Sequence, residues 1–188
     1  MSEQNMQNEN EMQEWLPPLV DFNDYSGWND FLEAIYRIYV EDFIHNRFSI
    51  DGVPVKTRRE PQSRGKDKAF WHICGEDDGQ SPTGTFARHE RIRWPKAIIL
   101  NRNDVRIKMW MDDCYKGSNG GLRVSIWFDD EYLVVLEPRP GYVLFITAYC
   151  TDIPHKRRTL EKRFQRYGKD GVEFVVPGKT ETATEVDP

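Results

Sequence analysis

Four β-rich runs constrain this chain more than any other feature: VRIKMWM, LRVSIWF, YLVVLEP and YVLFITAYC, all between Val105 and Cys150. The turn segments CYKGSNGG, DDE and RPG separate them. Connections this short cannot carry a crossover, so successive strands must run antiparallel as a meander. Val, Ile, Trp, Phe and Tyr dominate the runs, as suits a pleated, half-buried surface. In the first run Val105, Ile107 and Met109 alternate with Arg106, Lys108 and Trp110, which gives the strand two unlike faces.

The rest of the chain supplies what packs on that sheet. In DYSGWNDFLEAIYRIYVEDFIHNRF, the residues Trp28, Phe31, Leu32, Ile35, Tyr36, Tyr39 and Phe43 recur at three- and four-residue steps. This predicts an amphipathic helix, capped by Ser26 or Asp24 and covering one face of the sheet. Asp51-Gly52 predicts a tight hairpin, because both central residues of a type I′ turn need positive φ. Pro54 limits its second arm to an edge or a strand start. EPQSRGKDK and GEDDGQSPTGT read as loops, and AFWHICG as a short strand or turn. RHERIRWPKAIIL reads as extended through Arg93. HKRRTLEKRFQRYGK predicts a basic helix with Leu160, Phe164 and Tyr167 as its inner stripe. The expected fold is α+β: an N-terminal helix packed on an antiparallel β-sheet meander, with a basic C-terminal helix. One domain is expected over residues 21–169, between polar tails at 1–20 and 170–188.

Charge is unevenly distributed along this outline. Residues 1–46 carry ten acids and one base, and residues 170–188 carry five acids and one base. Residues 47–169 are net +8 although the whole chain is -5, so the body presents a basic field to its partners. Cys74, Cys114 and Cys150 form no CxxC pair, which argues against a zinc-finger spacing or a disulfide framework. No apolar run approaches a membrane span, and no signal-peptide pattern opens the chain. A cytoplasmic protein that does not engage a membrane is expected.

Several residues stand out as candidates for chemistry. His72 can take or give a proton near neutral pH; the plainer alternative is a histidine bonded to a backbone carbonyl. Arg91 and Arg93, flanking Ile92, would share one face of an extended segment and grip a phosphate. Alternatively, they form a charged edge that resists strand association. Trp94 offers a ring for base stacking or for the core. Thr147 and Tyr149 alternate on the last strand, sharing a face with Phe145 while Ile146 and Ala148 face the core. Their hydroxyls can orient a phosphate or assist proton transfer; the plainer alternative is that Thr and Tyr are good strand residues. Lys156, Arg157 and Arg158 open the basic helix, which either meets a polyanion or is a solvated face. A histidine, paired arginines, hydroxyls and a basic helix are the parts of a ribonuclease that needs no metal or other cofactor. RNA brings its own nucleophile, the 2′-hydroxyl, so base, cations and acid suffice.

The motifs FWHI, ERIRWPKAII, SIWFDDEYLVVL, ITAYC and PHKRRTLEKRFQRY also resemble phage- and plasmid-associated proteins of the barnase–EndoU–colicin–RelE-like nuclease superfamily. The resemblance spans roughly residues 28–168. It implies an N-terminal helix on a four- or five-stranded antiparallel sheet, with RNA cleaved on the open sheet face. By the same resemblance His72 would be general base or acid, Arg91 or Arg93 would hold the phosphate, and Thr147 with Tyr149 would complete the site. The leading expectation is therefore a metal-independent endoribonuclease of toxin or phage–host conflict type, with RNA as substrate and a cognate inhibitor protein as a possible partner. The alternative is a non-catalytic nucleic-acid-binding or interaction module of the same fold.

Overall fold

The computed structural model describes residues 15–75, 86–113 and 121–168. The expected tails at 1–14 and 170–188, most of the GEDDGQSPTGT loop, and the CYKGSNGG turn with Cys114 lie outside the described residues. Helix α1 (Trp28–Val40) continues through one wide π turn, Glu41–His45. The hairpin β1 (Ser49–Ile50) and β2 (Val53–Thr57) follows, turning at Asp51 (φ 50°) and Gly52 (φ 76°) as the Asp-Gly pair predicts. Three short helices come next: α2 (Lys68–Cys74), α3 (Phe86–Glu90) and α4 (Trp94–Leu100). The meander β3 (Ile107–Asp112), β4 (Arg123–Phe128), β5 (Tyr132–Arg139) and β6 (Tyr142–Cys150) leads into α5 (Pro154–Tyr167).

The sheet has six strands in the order β1-β2-β6-β5-β4-β3. Every pair is antiparallel except β2 with β6, so the expected antiparallel sheet is in fact mixed. Some 85 residues separate β2 from β6, ample for the crossover that a parallel pair requires. Pro54 precedes the pairing with β6, which begins at Val55, so its missing N–H costs that ladder nothing.

Two layers cover the sheet. On one face Phe31, Ile35 and Tyr39 of α1, together with Phe70 and Ile73 of α2 and Ile98 of α4, bury against Ile126, Val134, Leu136 and Phe145. On the other face Leu160 of α5, flanked by Phe164 and Tyr167, packs on Trp110, Trp127, Leu133 and Val135. The helix is also tied by charge. Arg163 donates to Asp112 through Nε (2.9 Å) and Nη2 (2.6 Å), and Trp110 Nε1 donates to the same carboxylate at 2.7 Å. Lys108 Nζ lies 2.8 Å from both Glu161 and Asp130.

Three local expectations are corrected. AFWHICG is helical: Ala69, Phe70, Ile73 and Cys74 fall at three- and four-residue steps, all are buried, and Gly75 ends the helix at φ 83°. The segment around Arg91 is a helix–turn–helix, with Pro95 in the first turn of α4, where its absent N–H is tolerated. Residues 15–20, expected in the tail, pack on the body instead. Trp15 Nε1 donates to Asp104 Oδ2 (2.7 Å), and Val20 N–H donates to the Glu90 carbonyl (2.9 Å). No helix among the described residues is long and apolar enough to cross a membrane.

Two predictions follow from these anchors. Asp112→Ala leaves the Arg163 guanidinium largely buried without its carboxylate and should cost about 3–5 kcal/mol in urea unfolding; a loss below about 1 kcal/mol would count against this role. Hydrogen bonds from Arg106 chiefly, with a further one from Trp15, hold the Asp104 carboxyl well below the usual carboxylate range. Its folded pKa lies under its unfolded one, so its contribution is full above about pH 4 and fades as the pH falls further. Asp104→Asn should therefore destabilise the protein at pH 7, with the gap to wild type narrowing below about pH 4.

Candidate functional site

β2 pairs with β6 only from Val143 to Phe145, so among the described residues no strand lies beyond the second half of β6. Two side chains seal that edge. Thr147 Oγ1 donates to the His72 carbonyl at 3.2 Å, and Arg88 Nη2 donates to the Ala148 carbonyl at 3.0 Å. An open strand edge invites association with other chains, and these bonds close it. They also bring the C-terminal end of α2, the helix α3 and β6 into one corner.

Within this corner the Arg88 guanidinium lies 5.5 Å from the centroid of the Tyr149 ring, and Lys156 Nζ approaches the same ring at 6.0 Å. Gly75 backs onto Arg88: its left-handed backbone caps α2, and a Cβ there would collide with the guanidinium. Arg88 Nε is out of contact with solvent and has no hydrogen-bond partner among the described residues. Beneath it, burial pushes the Cys150 thiol up, against the opposing charges of Arg91 and Arg88. The Tyr132 phenol, paired across the ladder with Cys150, is likewise raised by burial.

A β-bulge sets which β6 residues face this corner. Val135 pairs with Thr147 and Leu136 with Phe145, so Ile146 is the extra residue and the alternation reverses there. Phe145 and Ala148 both join the core under α1, whereas Ile146 and Tyr149 lie with the α5 layer. The expected common face of Phe145, Thr147 and Tyr149 is thus corrected: Phe145 leaves the set, and so does Ile146 from the core.

The other expected site residues divide between this corner and elsewhere. His72 is half-buried on the last turn of α2, with its carbonyl bonded to Thr147 and to the Gly75 N–H. Arg91 and Arg93 do not share a face. Arg91 donates to the Ala87 carbonyl (3.0 Å), stacks on Trp94 at 4.7 Å and adjoins Cys150. Arg93 is exposed in a cleft with Trp15, Asp42 and Lys96. Trp94 is 7% exposed and donates to the Pro17 carbonyl, so it serves the core and offers no face to a base. Lys156 and Arg158 are exposed, while Arg157 Nε bonds the Thr151 carbonyl at 2.8 Å.

Arg88 was not singled out by reasoning on strand alternation, which favoured Arg91 and Arg93. The signal it left is the short spacing of Arg88 and Arg91, both of which lie close enough to act on Cys150. No family model, curated protein or solved structure matches the chain.

Gly75→Ala should cost about 1–2 kcal/mol from its left-handed backbone alone, and more through displacement of Arg88. Thr147→Val should cost about 1 kcal/mol, leaving the His72 carbonyl one donor short. Chemical denaturation of both variants checks the corner; wild-type stability in Gly75→Ala would contradict the close approach.

Proposed function

We propose that the protein is an endoribonuclease of toxin or phage–host conflict type, acting on RNA through the RNA's own 2′-hydroxyl. The observation that carries this reading is the corner itself, where the end of the histidine-bearing helix, the Arg88 guanidinium, Tyr149 and Lys156 converge. His72 takes the proton of the 2′-hydroxyl as its oxygen bonds to phosphorus. Arg88, with Arg91 and Lys156 nearby, offsets the negative charge on the phosphorane oxygens. Tyr149 protonates the departing 5′-oxygen. The products are a 2′,3′-cyclic phosphate and a free 5′-hydroxyl. Thr147 acts as a positioning residue, since its proton is committed to the His72 carbonyl. Arg93 has no part in this scheme.

The resemblance to the barnase–EndoU–colicin–RelE-like superfamily supports the same reading, as does the net +8 of residues 47–169. A cytoplasmic setting fits an RNA target and the free thiol of Cys150, and a cognate inhibitor protein fits a toxin.

One observation favours a second reading, a non-catalytic RNA-binding module. Both Thr147 and Arg88 spend hydrogen bonds on backbone carbonyls, which sealing the β6 edge would explain without chemistry.

Incubating the full chain with labelled RNA in EDTA between pH 5 and 8 separates the two. Fragments ending in 2′,3′-cyclic phosphate are expected. His72→Ala should lower the cleavage rate by about 10²–10⁴-fold while leaving RNA affinity within a few-fold. RNA that stays intact yet bound would establish the module.

A further inference from the structure

The α5 layer covers only part of its face of the sheet. It packs on Trp110, Trp127, Leu133 and Val135, near the β3 edge and the β5 start. The remainder of that face can be followed strand by strand. Thr57 turns its hydroxyl to Tyr39 of α1, at 3.1 Å, so Lys56 belongs to the opposite face, and Arg58 follows just past the end of the strand. Lys56 Nζ sits 4.6 Å from the Tyr142 ring centroid, and Tyr142 pairs directly with Arg139 of β5. Two residues back along β5 is Glu137, opposite Leu144. Arg123 at the start of β4 reaches the same carboxylate. Lys56, Arg58, Tyr142, Arg139, Glu137 and Arg123 thus form a band across four strands, on the face that α5 shares but toward its uncovered end.

The charges in this band do not cancel. Glu137, with a side chain only 2% exposed, lies between Arg123 and Arg139 and forms ion pairs with both. Arg58 brings a third guanidinium close enough to act on Arg123. Three positive charges around one negative leave the group at net +2. Burial, then the like charges of Arg139 and Arg58, lower the Arg123 pKa, as expected of cations gathered without enough counter-charge. Arg139 Nε is out of solvent contact and has no hydrogen-bond partner among the described residues. The loop side is tight as well: a Cβ at Gly121 would come within 3.3 Å of Glu137 Oε1. Fixed by a buried carboxylate and still in charge surplus, the arginines are preorganised for an anion.

We infer that Arg58, Arg123 and Arg139, held by Glu137, form a second phosphate-binding subsite for single-stranded RNA, with Tyr142 as an adjacent stacking ring; this rests on the RNA reading above. Strand rise favours a long ligand. Tyr149 lies seven positions beyond Tyr142, about 23 Å along β6 at roughly 3.3 Å per residue. A flexible polyanion lying along β6 joins the two ends of the face, with guanidinium and aromatic contacts at each. A lone small anion would use one end only.

Binding of a fluorescein-labelled 15-nucleotide single-stranded RNA, followed by anisotropy over a salt series, tests this. The full chain carrying Arg58→Ala and Arg139→Gln should bind about tenfold or more weakly, the scale of a lost charge-assisted contact. The slope of log K against log[salt] should fall by about 0.7, the value for one phosphate contact on a single strand. Lys162→Ala, on the exposed side of α5, should change neither. Arg58→Ala alone, at an exposed position outside the buried ion pairs, should show the same trend at smaller size, which guards against misfolding of the double variant. Unchanged affinity and slope in the variants, with wild-type RNA binding and cleavage intact, would overturn the subsite and leave the nuclease reading standing. Arginine-dependent binding without cleavage would support the subsite and sink the nuclease. Absence of RNA binding by the wild type would overturn both.

Discussion

Asp112 ends β3 with a fully buried side chain and receives hydrogen bonds from Trp110 and from two nitrogens of Arg163. A carboxylate in that position must be neutralised in place, because its desolvation is costly unless a cation and further donors meet it. Arg163 is on α5, so the requirement fixes where the last helix can lie. With Arg163 at Asp112 and Lys108 bridging to Glu161, the helix is held over the β3–β4 side of the sheet. Leu160 and Phe164 then close on Trp110 and Trp127. One buried ion pair thereby decides which part of the sheet the last helix packs.

The β-bulge at Ile146 acts on the same face from the other direction. Were β6 to alternate without interruption, Phe145 and Ala148 could not both point into the core under α1. The extra residue lets the strand bury Val143 and Phe145 before it and Ala148 after it, while Tyr142 and Tyr149 both end on the α5 side. Bulges are a common way to re-aim a side chain near a functional site. Here the device sets an aromatic ring at each end of one strand, with arginines close to both.

Many of the basic residues prove to have structural duties. Arg163 and Lys108 hold α5, Arg106 with Trp15 ties the chain's early segment to Asp104, and Arg157 bonds a carbonyl. Most of these cations sit on carboxylates, so the pairings leave the net charge of the body as the sequence count gives it. Basic side chains gather at both ends of β6, Arg88 with Lys156 at one and Arg58 with Arg123 and Arg139 at the other.

The sequence by itself determined the meander, the first helix, the Asp-Gly hairpin and the basic last helix, because each rests on local periodicity or on turn chemistry that reads the same in any context. It also carried His72, Thr147, Tyr149 and Lys156 as residues worth weighing. Short helices were not legible: AFWHICG and the segment around Arg91 are each about two turns long, where a strand and a buried helix share the same apolar run. The parallel pairing of β2 with β6 was equally hidden, since partners 85 residues apart leave no mark in either strand. Only the tertiary structure could bring Arg88 to the β6 edge and leave Arg93 apart from it, send Trp94 into the core, reverse the face of β6 at Ile146 and gather arginines around Glu137. Each of those outcomes depends on which distant group arrives to satisfy a buried charge or an open strand edge, and that is a property of packing which no single stretch of sequence contains.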